Sequence, residues 1–401
     1  MMKKDWEIKK LGELGKIFSG NSINEKEKKS YMDLSKEGLF YVATKDISDS
    51  NIDYENGILI SNDSISKFKI AHKNSILICA EGGSAGRKYA FNSEHDICFV
   101  NKLFAFEAYK EILPKFVFYY YQSDVFSKAF KERLTGLIGG VSLQKFKEIP
   151  ISFPPLDEQE RIVEILDQKF AQIETLKTNA QKNLQNTKDF FQSELEKSFS
   201  NDTWEKKRLG DVCEKIVDGT HNSPPNTKSG EYQYITAKNI KKTGIDLTDI
   251  TYVTKEIHST IYSRCNPEKG DILLIKDGAT TGIAVVNELD YEFSLLSSVA
   301  LLKFDKNKIN SYCLCYLLNS DNTYKQFRAK MEGAAITRLT LVKIKDFQIP
   351  LPPLSEQKRI VAHLDSLQEK VRQLEEIYTK QIADCDELKQ AFLQKAFAGE
   401  L

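Results

Sequence analysis

The chain has 401 residues with 41% apolar and 10% aromatic side chains, enough for two or three domains with sizeable cores. Its formal net charge is zero, which argues against a simple basic nucleic-acid-binding module. No apolar run approaches the roughly 20 residues that span a bilayer, and residues 1–10 are charged with no apolar stretch behind them, so neither a membrane helix nor a signal peptide is expected. Seven scattered cysteines without a Cys-x-x-Cys pair read as reduced structural thiols of a cytoplasmic protein. Five histidines show no metal-ligand spacing with them, so no metal site is expected.

In chain order, Trp6-Glu7 and Lys9-Lys10-Leu11-Gly12-Glu13 open the sequence. Apolar, β-branched and aromatic runs at 38–43, 75–80 and 98–106 read as strands separated by Gly, Asn and Asp turns. A helix is predicted near 114–133. Pro154-Pro155-Leu156 then acts as a stop, Asp157 as a cap, and residues 157–200 form a second element of helix-forming residues without Gly or Pro.

From residue 201 the whole plan returns. Trp204-Glu205 and Lys207-Arg208-Leu209-Gly210-Asp211 repeat the opening, shifted by 198 residues. Runs at 232–236 and 271–276 read as strands and 309–331 as a helix. Pro352-Pro353-Leu354 with a Ser355 cap starts a last helical segment, 355–401, and Glu356-Gln357, Arg359-Ile360-Val361 and Leu364-Asp365 match Glu158-Gln159, Arg161-Ile162-Val163 and Leu166-Asp167 at the same shift. Between these anchors the match drifts: Tyr41 to Ile47 parallels Tyr234 to Ile240, and Glu81 to Gly86 parallels Asp277 to Gly282. Two copies of one unit keep a scaffold and diverge in what it presents.

The two helical segments place apolar residues at three-and-four spacing. In the first these are Ile162, Leu166, Phe170, Ile173, Leu176, Ala180, Leu184 and Phe191. In the second they are Ile360, Leu364, Leu367, Val371, Leu374, Ile382, Cys385, Leu388 and Phe392. A narrow apolar seam on a long charged helix is a coiled-coil pattern, and each segment of about 42 residues would run roughly 60–65 Å at 1.5 Å per residue. A single helix cannot bury its own seam, so the two are expected to pair, and with a domain between them in sequence an antiparallel pair is the simplest closure. The expected fold is therefore α/β, of mixed α+β type: two similar domains, 1–156 and 201–354, and an antiparallel coiled coil of 157–200 with 355–401. The domains carry about +3 and about +2 charges and the helices about −3 and −2, so any basic surface sits on the domains.

The openings, both Pro-Pro-Leu-x-Glu-Gln-x-Arg-Ile-Val segments, Asp218-Gly219-Thr220-His221 with Pro224, and the closing Lys389 to Leu401 resemble specificity subunits of type I restriction–modification enzymes. The resemblance covers essentially the whole chain, as an ordered set of motifs present twice. It implies two target-recognition domains, each reading one half of a split, asymmetric site in double-stranded DNA. It implies a coiled coil that sets their separation and docks two methyltransferase subunits, with restriction/translocase subunits joining that core. S-adenosylmethionine, ATP and Mg2+ would belong to those partners, with no cofactor and no catalysis in this chain.

The loops 81–86 and 277–282, the latter with Thr280, are either tight turns or backbone N–H donors near phosphate. Lys45 and Lys238 follow a strand at equivalent positions beside Asp46 and Asn239; lysine suits phosphate or guanine and asparagine suits adenine, and both also read as solvated surface residues. Arg87, Lys88, Lys241, Lys242 and Lys276 are equivalent candidates, each also readable as a solvated surface cation. Arg338 aligns with Gly140 and belongs to the second domain alone, while His221 lies in a polar Pro-rich loop that it either holds together or extends toward DNA. Glu158, Gln159, Arg161, Glu356, Gln357 and Arg359 are the residues that the resemblance places at the border of the methyltransferase dock.

A free-standing DNA methyltransferase would need a glycine-rich cofactor motif and Asn/Asp-Pro-Pro-aromatic; Asn222-Ser223-Pro224-Pro225-Asn226 breaks that pattern. No repeated acid–base cluster stands out. The alternative reading is a coiled-coil scaffold with protein-binding heads, with which near-neutral charge agrees.

Overall fold

Both Pro-Pro-Leu stops start long helices, Leu156–Ser198 and Leu354–Ala398. The computed structural model describes residues 6–24, 27, 37–48, 51–54, 58–136, 139–329 and 338–401. The chain divides into two compact units, Met1–Ala180 with Lys380–Leu401, and Gln181–Thr379. Each unit therefore holds one domain, the beginning of its own long helix and the end of the other.

The first unit is built on two four-stranded sheets. One runs in the order Gly15–Ser19, Leu103–Ala108, Ile76–Cys79, Tyr89–Phe91, and the other Ile58–Ser61, Gly38–Val42, Ile97–Phe99, Ile70–Ala71. The pairings are antiparallel except Gly38–Val42 with Ile97–Phe99. Ile76–Cys79 is apolar throughout because both faces are covered: Ile76 and Ile78 face the core under the helices, Leu77 and Cys79 the core between the sheets. The second unit follows the same plan, with Lys215–Asp218, Val299–Lys303, Ile272–Ile275 and Ala284–Val286 in one four-stranded sheet, and a three-stranded sheet in which Tyr232–Ile235 lies between antiparallel Thr251–Val253 and parallel Ser294–Leu295. Ile272 and Leu274 enter one core, Leu273 and Ile275 the next.

Three expectations are corrected. The run 98–106 is two strands in different sheets, Ile97–Phe99 and Leu103–Ala108, because the chain turns at Asn101-Lys102 and crosses over. The helices expected at 114–133 and 309–331 are each two short helices, Pro114–Tyr121 with Asp124–Lys131 and Ser311–Leu318 with Asp321–Ala329. Ser123 and Ser320 interrupt them, their hydroxyls accepting the backbone N–H of Phe126 and Thr323 as N-caps do; residues 330–331 lie outside the described residues. The seam is also narrower than expected. Ile173 and Ala180, and Val371 and Cys385, are buried, but Leu176 is 57%, Leu374 40% and Leu388 44% exposed. Mid-helix burial recurs once per heptad in the first helix, at Ile173, Ala180 and Thr187, and only at Val371 and Cys385 in the second.

Within the first unit the helices run antiparallel: Ile162 and Leu166 share a core with Leu393, Ala396 and Phe397, and further along Lys177 pairs with Asp386 at 2.6 Å. Phe397 packs on Phe116 and Tyr120, with ring centroids 5.1 and 5.3 Å apart. In the second unit Leu195 and Phe199 join the core of Ile360 and Leu364. Each core is thus closed by the tail of the other repeat's helix. All seven cysteines are free, and burial pushes the thiols of Cys213, Cys265, Cys313 and Cys315 up to about 12, which keeps them protonated. Among the described residues no helix is long and apolar enough to cross a membrane.

Phe397→Ala should destabilise the first unit by about 3–5 kcal/mol, the usual range for removing a buried phenyl ring. Chemical denaturation of the full chain, followed by a probe in each unit, checks this; equal loss in both units would contradict a core local to the first.

Candidate nucleic-acid interface

The glycine loops sit at the ends of the central strands and are held from both sides. In the first unit Gly82 N–H donates to Gly139 O at 2.8 Å and Gly86 N–H to Cys79 O at 2.8 Å. Gly86 has a φ of +69°, and an added Cβ would lie 2.5 Å from the Phe130 ring. In the second unit Gly282 N–H donates to Ile275 O at 2.8 Å, its φ is +101°, and the Tyr324 ring lies 3.0 Å from where its Cβ would be. Only glycine fits such a corner. Both loops are tight turns at these glycines, with Gly83 and Thr280 exposed at the tips.

The second unit builds an ion cluster under its loop. Asp218, 4% exposed, lies 3.5 Å from Lys276, 3.2 Å from Arg264 and 3.4 Å from His221. Lys276 reaches Asp277 at 3.1 Å, and Arg338 Nε stands 3.9 Å from Asp277 Oδ1. The Arg264 guanidinium also donates to the carbonyls of Asp218 and Gly219. Arg338 and Asp277 form a bridge in the same place as Gly140 and Glu81 in the first unit, as their alignment implies. The first unit has Ser19 and Ala80 where Asp218 and Lys276 stand, and Lys69 donates to the Ser19 carbonyl at 2.9 Å. Equivalent loops thus rest on different chemistry.

Several candidates are tied down instead of presented. Lys276 is only 8% exposed and neutralised by two aspartates, so it is a support and not a contact. Asn239 is 3% exposed: its Oδ1 accepts the Thr236 N–H at 3.1 Å and its Nδ2 donates to Asp246 O at 3.2 Å. Its amide is used up closing a short turn, as the Asp46 carboxylate is by the Ala43 N–H at 2.8 Å, so it is not an adenine reader in this structure. Lys88 is half-buried and donates to Thr44 O at 3.1 Å; Arg87 is exposed but donates to the Gly83 carbonyl. Lys45 and Lys238 are exposed beside Asp46 and Asp249 at 3.8 and 3.3 Å. Lys241 is exposed on a hairpin, and Lys242 lies away from the ion cluster in a cavity of about 270 Å3 with Phe191, Tyr312 and Tyr316. The structure gathers Lys276, His221 and Arg338 at one loop and leaves Lys238, Lys241 and Lys242 outside it. Sequence reasoning missed Arg264, whose role depends on a contact 46 residues away in sequence, and Lys102, concealed in what reads as one continuous strand.

Gln159 and Gln357 are corrected as docking residues. Gln159 is fully buried; its Oε1 accepts the Leu113 N–H at 2.9 Å and its Nε2 donates to Glu111 O and Pro154 O at 3.1 and 2.9 Å. Gln357 does the same with the Asn310 N–H, Lys308 O and Pro352 O at 2.7, 3.1 and 2.8 Å. Each lashes the start of a long helix to its own domain. A second tie is Tyr119 to Asp167 and Tyr316 to Asp365, the latter at 2.7 Å. Burial, then the hydrogen bond to the aspartate, holds both phenols well above their ordinary range and so as donors. Glu158–Arg161 and Glu356–Arg359 pair at 2.7 and 2.6 Å beside the glutamines, and Arg161 also donates to the Leu401 carbonyl at 2.6 Å.

Two copies of one mixed domain, an identical lashing of each to a long helix, and different side chains at equivalent loops define a duplicated recognition protein. The chain belongs to the type I restriction modification DNA specificity domain family, whose model matches residues 3–185 and 201–382. It is 23% identical to the type I restriction enzyme MjaVIII specificity subunit of Methanocaldococcus jannaschii, over 99% of this chain and 93% of that protein. Its fold is that of the HsdS subunit from Thermoanaerobacter tengcongensis, at 21% identity, TM-score 0.59, and coverage of 100% of this chain and 98% of that one. A chain from a study of complex assembly and conformational transition of the type I R-M system matches with TM-score 0.78, 21% identity and 100% coverage of both. As a specificity subunit the chain is the non-catalytic component of its system.

Gln159→Met should cost about 2–4 kcal/mol, because one donor and two carbonyls lose buried partners. Lys276→Met should destabilise the second unit by about 1–3 kcal/mol, since Asp218 keeps Arg264 and His221 after losing its buried partner. Denaturant titration reads both, and Asp218→Asn combined with Lys276→Met should recover part of the second loss.

Proposed function

We propose that the chain reads a bipartite, asymmetric site in double-stranded DNA for a type I restriction–modification complex, each domain reading one half. The observation that carries this reading is the contrast between lashings that repeat atom for atom, Gln159 with Gln357, and loop sites that do not, Ser19 and Ala80 against Asp218 and Lys276. A frame kept constant under changing loops suits two readers of different sequences. The long helices set the separation of the half-sites, which must fall near multiples of a helical turn to lie on one face of the duplex.

Two methyltransferase subunits dock along the helices, where Leu176 and Leu388 of the first unit and Phe190, Leu374 and Ile377 of the second remain exposed. The Glu158–Arg161 and Glu356–Arg359 pairs border those docks. The partners bring S-adenosylmethionine, ATP and Mg2+, flip and methylate an adenine, and supply most of the non-specific grip on phosphate that a neutral chain lacks. Restriction/translocase subunits join this core. The free cysteines suit a cytoplasmic setting.

Adenine-methylation mapping in cells with and without this gene, the methyltransferase retained, should show loss of methylation at one split, asymmetric motif. An unchanged methylome in cells shown to express the protein would favour the scaffold reading. Deleting four residues, about one helical turn, from the middle of one long helix should alter the spacer of that motif and leave both half-site sequences as they were. The chain alone should bind the motif weakly, and tightly only with its methyltransferase, in a fluorescence-anisotropy titration.

A further inference from the structure

The two loop sites can be matched through their backbone hydrogen bonds. Ala80 N–H donates to Lys102 O at 2.9 Å and Val141 N–H to Ala80 O at 2.9 Å; Lys276 N–H donates to Ser298 O at 2.9 Å and Leu339 N–H to Lys276 O at 2.8 Å. Position 80 therefore corresponds to 276, 102 to 298, 81 to 277 and 140 to 338. Glu81 and Asp277 supply a carboxylate at the same point of both loops. The cation beside it changes place: Lys102 in the first unit, where position 140 is glycine, and Arg338 in the second, where position 298 is serine.

Lys102 is exposed and lines a cavity of about 520 Å3 with Glu81, Gly82 and Gly140. The Glu81 Cγ lies 3.4 Å from where a Cβ of Gly140 would stand, so the glycine leaves the acid room to swing over it. Among the described residues the Lys102 ammonium has no ion pair or hydrogen bond, its carbonyl alone being engaged by Ala80 N–H. In the second unit Arg338 is 65% exposed along its side chain, and Asp277 Oδ1 is buried without a hydrogen-bond donor among the described residues, Arg338 Nε being 3.9 Å away. Lys276 cannot take the role of cation, because Asp218 and Asp277 hold it inside.

A carboxylate beside the cation disfavours a phosphate, which it would repel. It suits the major-groove edge of a G·C pair, which offers the guanine O6 and N7 acceptors next to the cytosine N4 amino donor. We propose that each domain reads one G·C base pair at its glycine loop, through Lys102 and Glu81 on one cavity wall in the first domain and through Arg338, oriented by Asp277, in the second. This rests on the DNA-reading function proposed above and names the chemistry of its contacts.

The test uses the full chain assembled with its methyltransferase. The methylated motif is mapped, and binding is measured on duplexes in which each base pair of the motif is replaced in turn. Lys102→Ala should lower discrimination at a single G·C pair of one half-site by about 5- to 100-fold, leaving the other half-site intact. Arg338→Ala should do the same in the other half-site, Glu81→Gln and Asp277→Asn should relax the same pairs as their cations, and Lys102→Arg should retain the preference. Lys102 and Arg338 are exposed, so circular dichroism and assembly should match the parent. An affinity loss equal on all sequences, with the salt dependence reduced by about one phosphate contact, would overturn the assignment in favour of backbone binding. So would an unchanged motif, or relaxation at an A·T pair. If the parent complex directs no split motif, the DNA-reading function itself fails, and that result is separate from any variant's behaviour.

Discussion

Neither domain closes its own core. Under the sheets of the first unit, Phe116 and Tyr120 need Phe397, and in the second unit Ile360 and Leu364 share their core with Leu195 and Phe199. The apolar surface that drives each domain to fold is removed from water only when the tail of the other repeat's helix arrives. This constraint explains why the compact units divide both long helices at mid-length instead of following the repeat boundaries. It also explains why buried apolar residues are dense at the helix ends and sparse between them.

The same constraint makes the lashings necessary. A long helix contributing both its ends to cores must leave its own domain in one direction, and a buried glutamine with all three of its hydrogen bonds satisfied fixes that direction. A buried amide is costly when unpaired and specific when paired. Gln159 and Gln357 are therefore bound to structure, while Glu158 and Arg161 keep part of their surface in solvent. Adjacent residues of one repeated motif have separate duties because the helix turns successive side chains about 100° apart.

The loop sites carry no such burden, and they differ. A buried ion cluster supports the second loop, whereas Ser19, Ala80 and Lys69 leave the first with almost none. Buried ion pairs add little net stability but fix orientation, so the second loop is held by charge and the first chiefly by backbone hydrogen bonds and packing. Zero net charge fits such a surface: Lys45, Lys238, Lys276 and Arg338 each stand beside a carboxylate.

The duplication, the long helices and the mixed strand-and-helix domains were legible in the sequence, because repeats, Pro-Pro stops and heptad spacing are local signals. Trp6 with Trp204 and Arg161-Ile162-Val163 with Arg359-Ile360-Val361 needed no structure. What only the tertiary structure decided was which polar side chains face inward. Asn239 and Asp46 look like surface residues after a strand and are consumed in turns; Lys276 looks like a free cation and is paired inside. Lys102 was concealed because an apolar run reads as one strand whether or not the chain changes sheets within it. Burial and pairing depend on residues far apart in sequence, such as Arg264 on Asp218 and Gln357 on Asn310, and no periodicity within a single segment encodes such a partner.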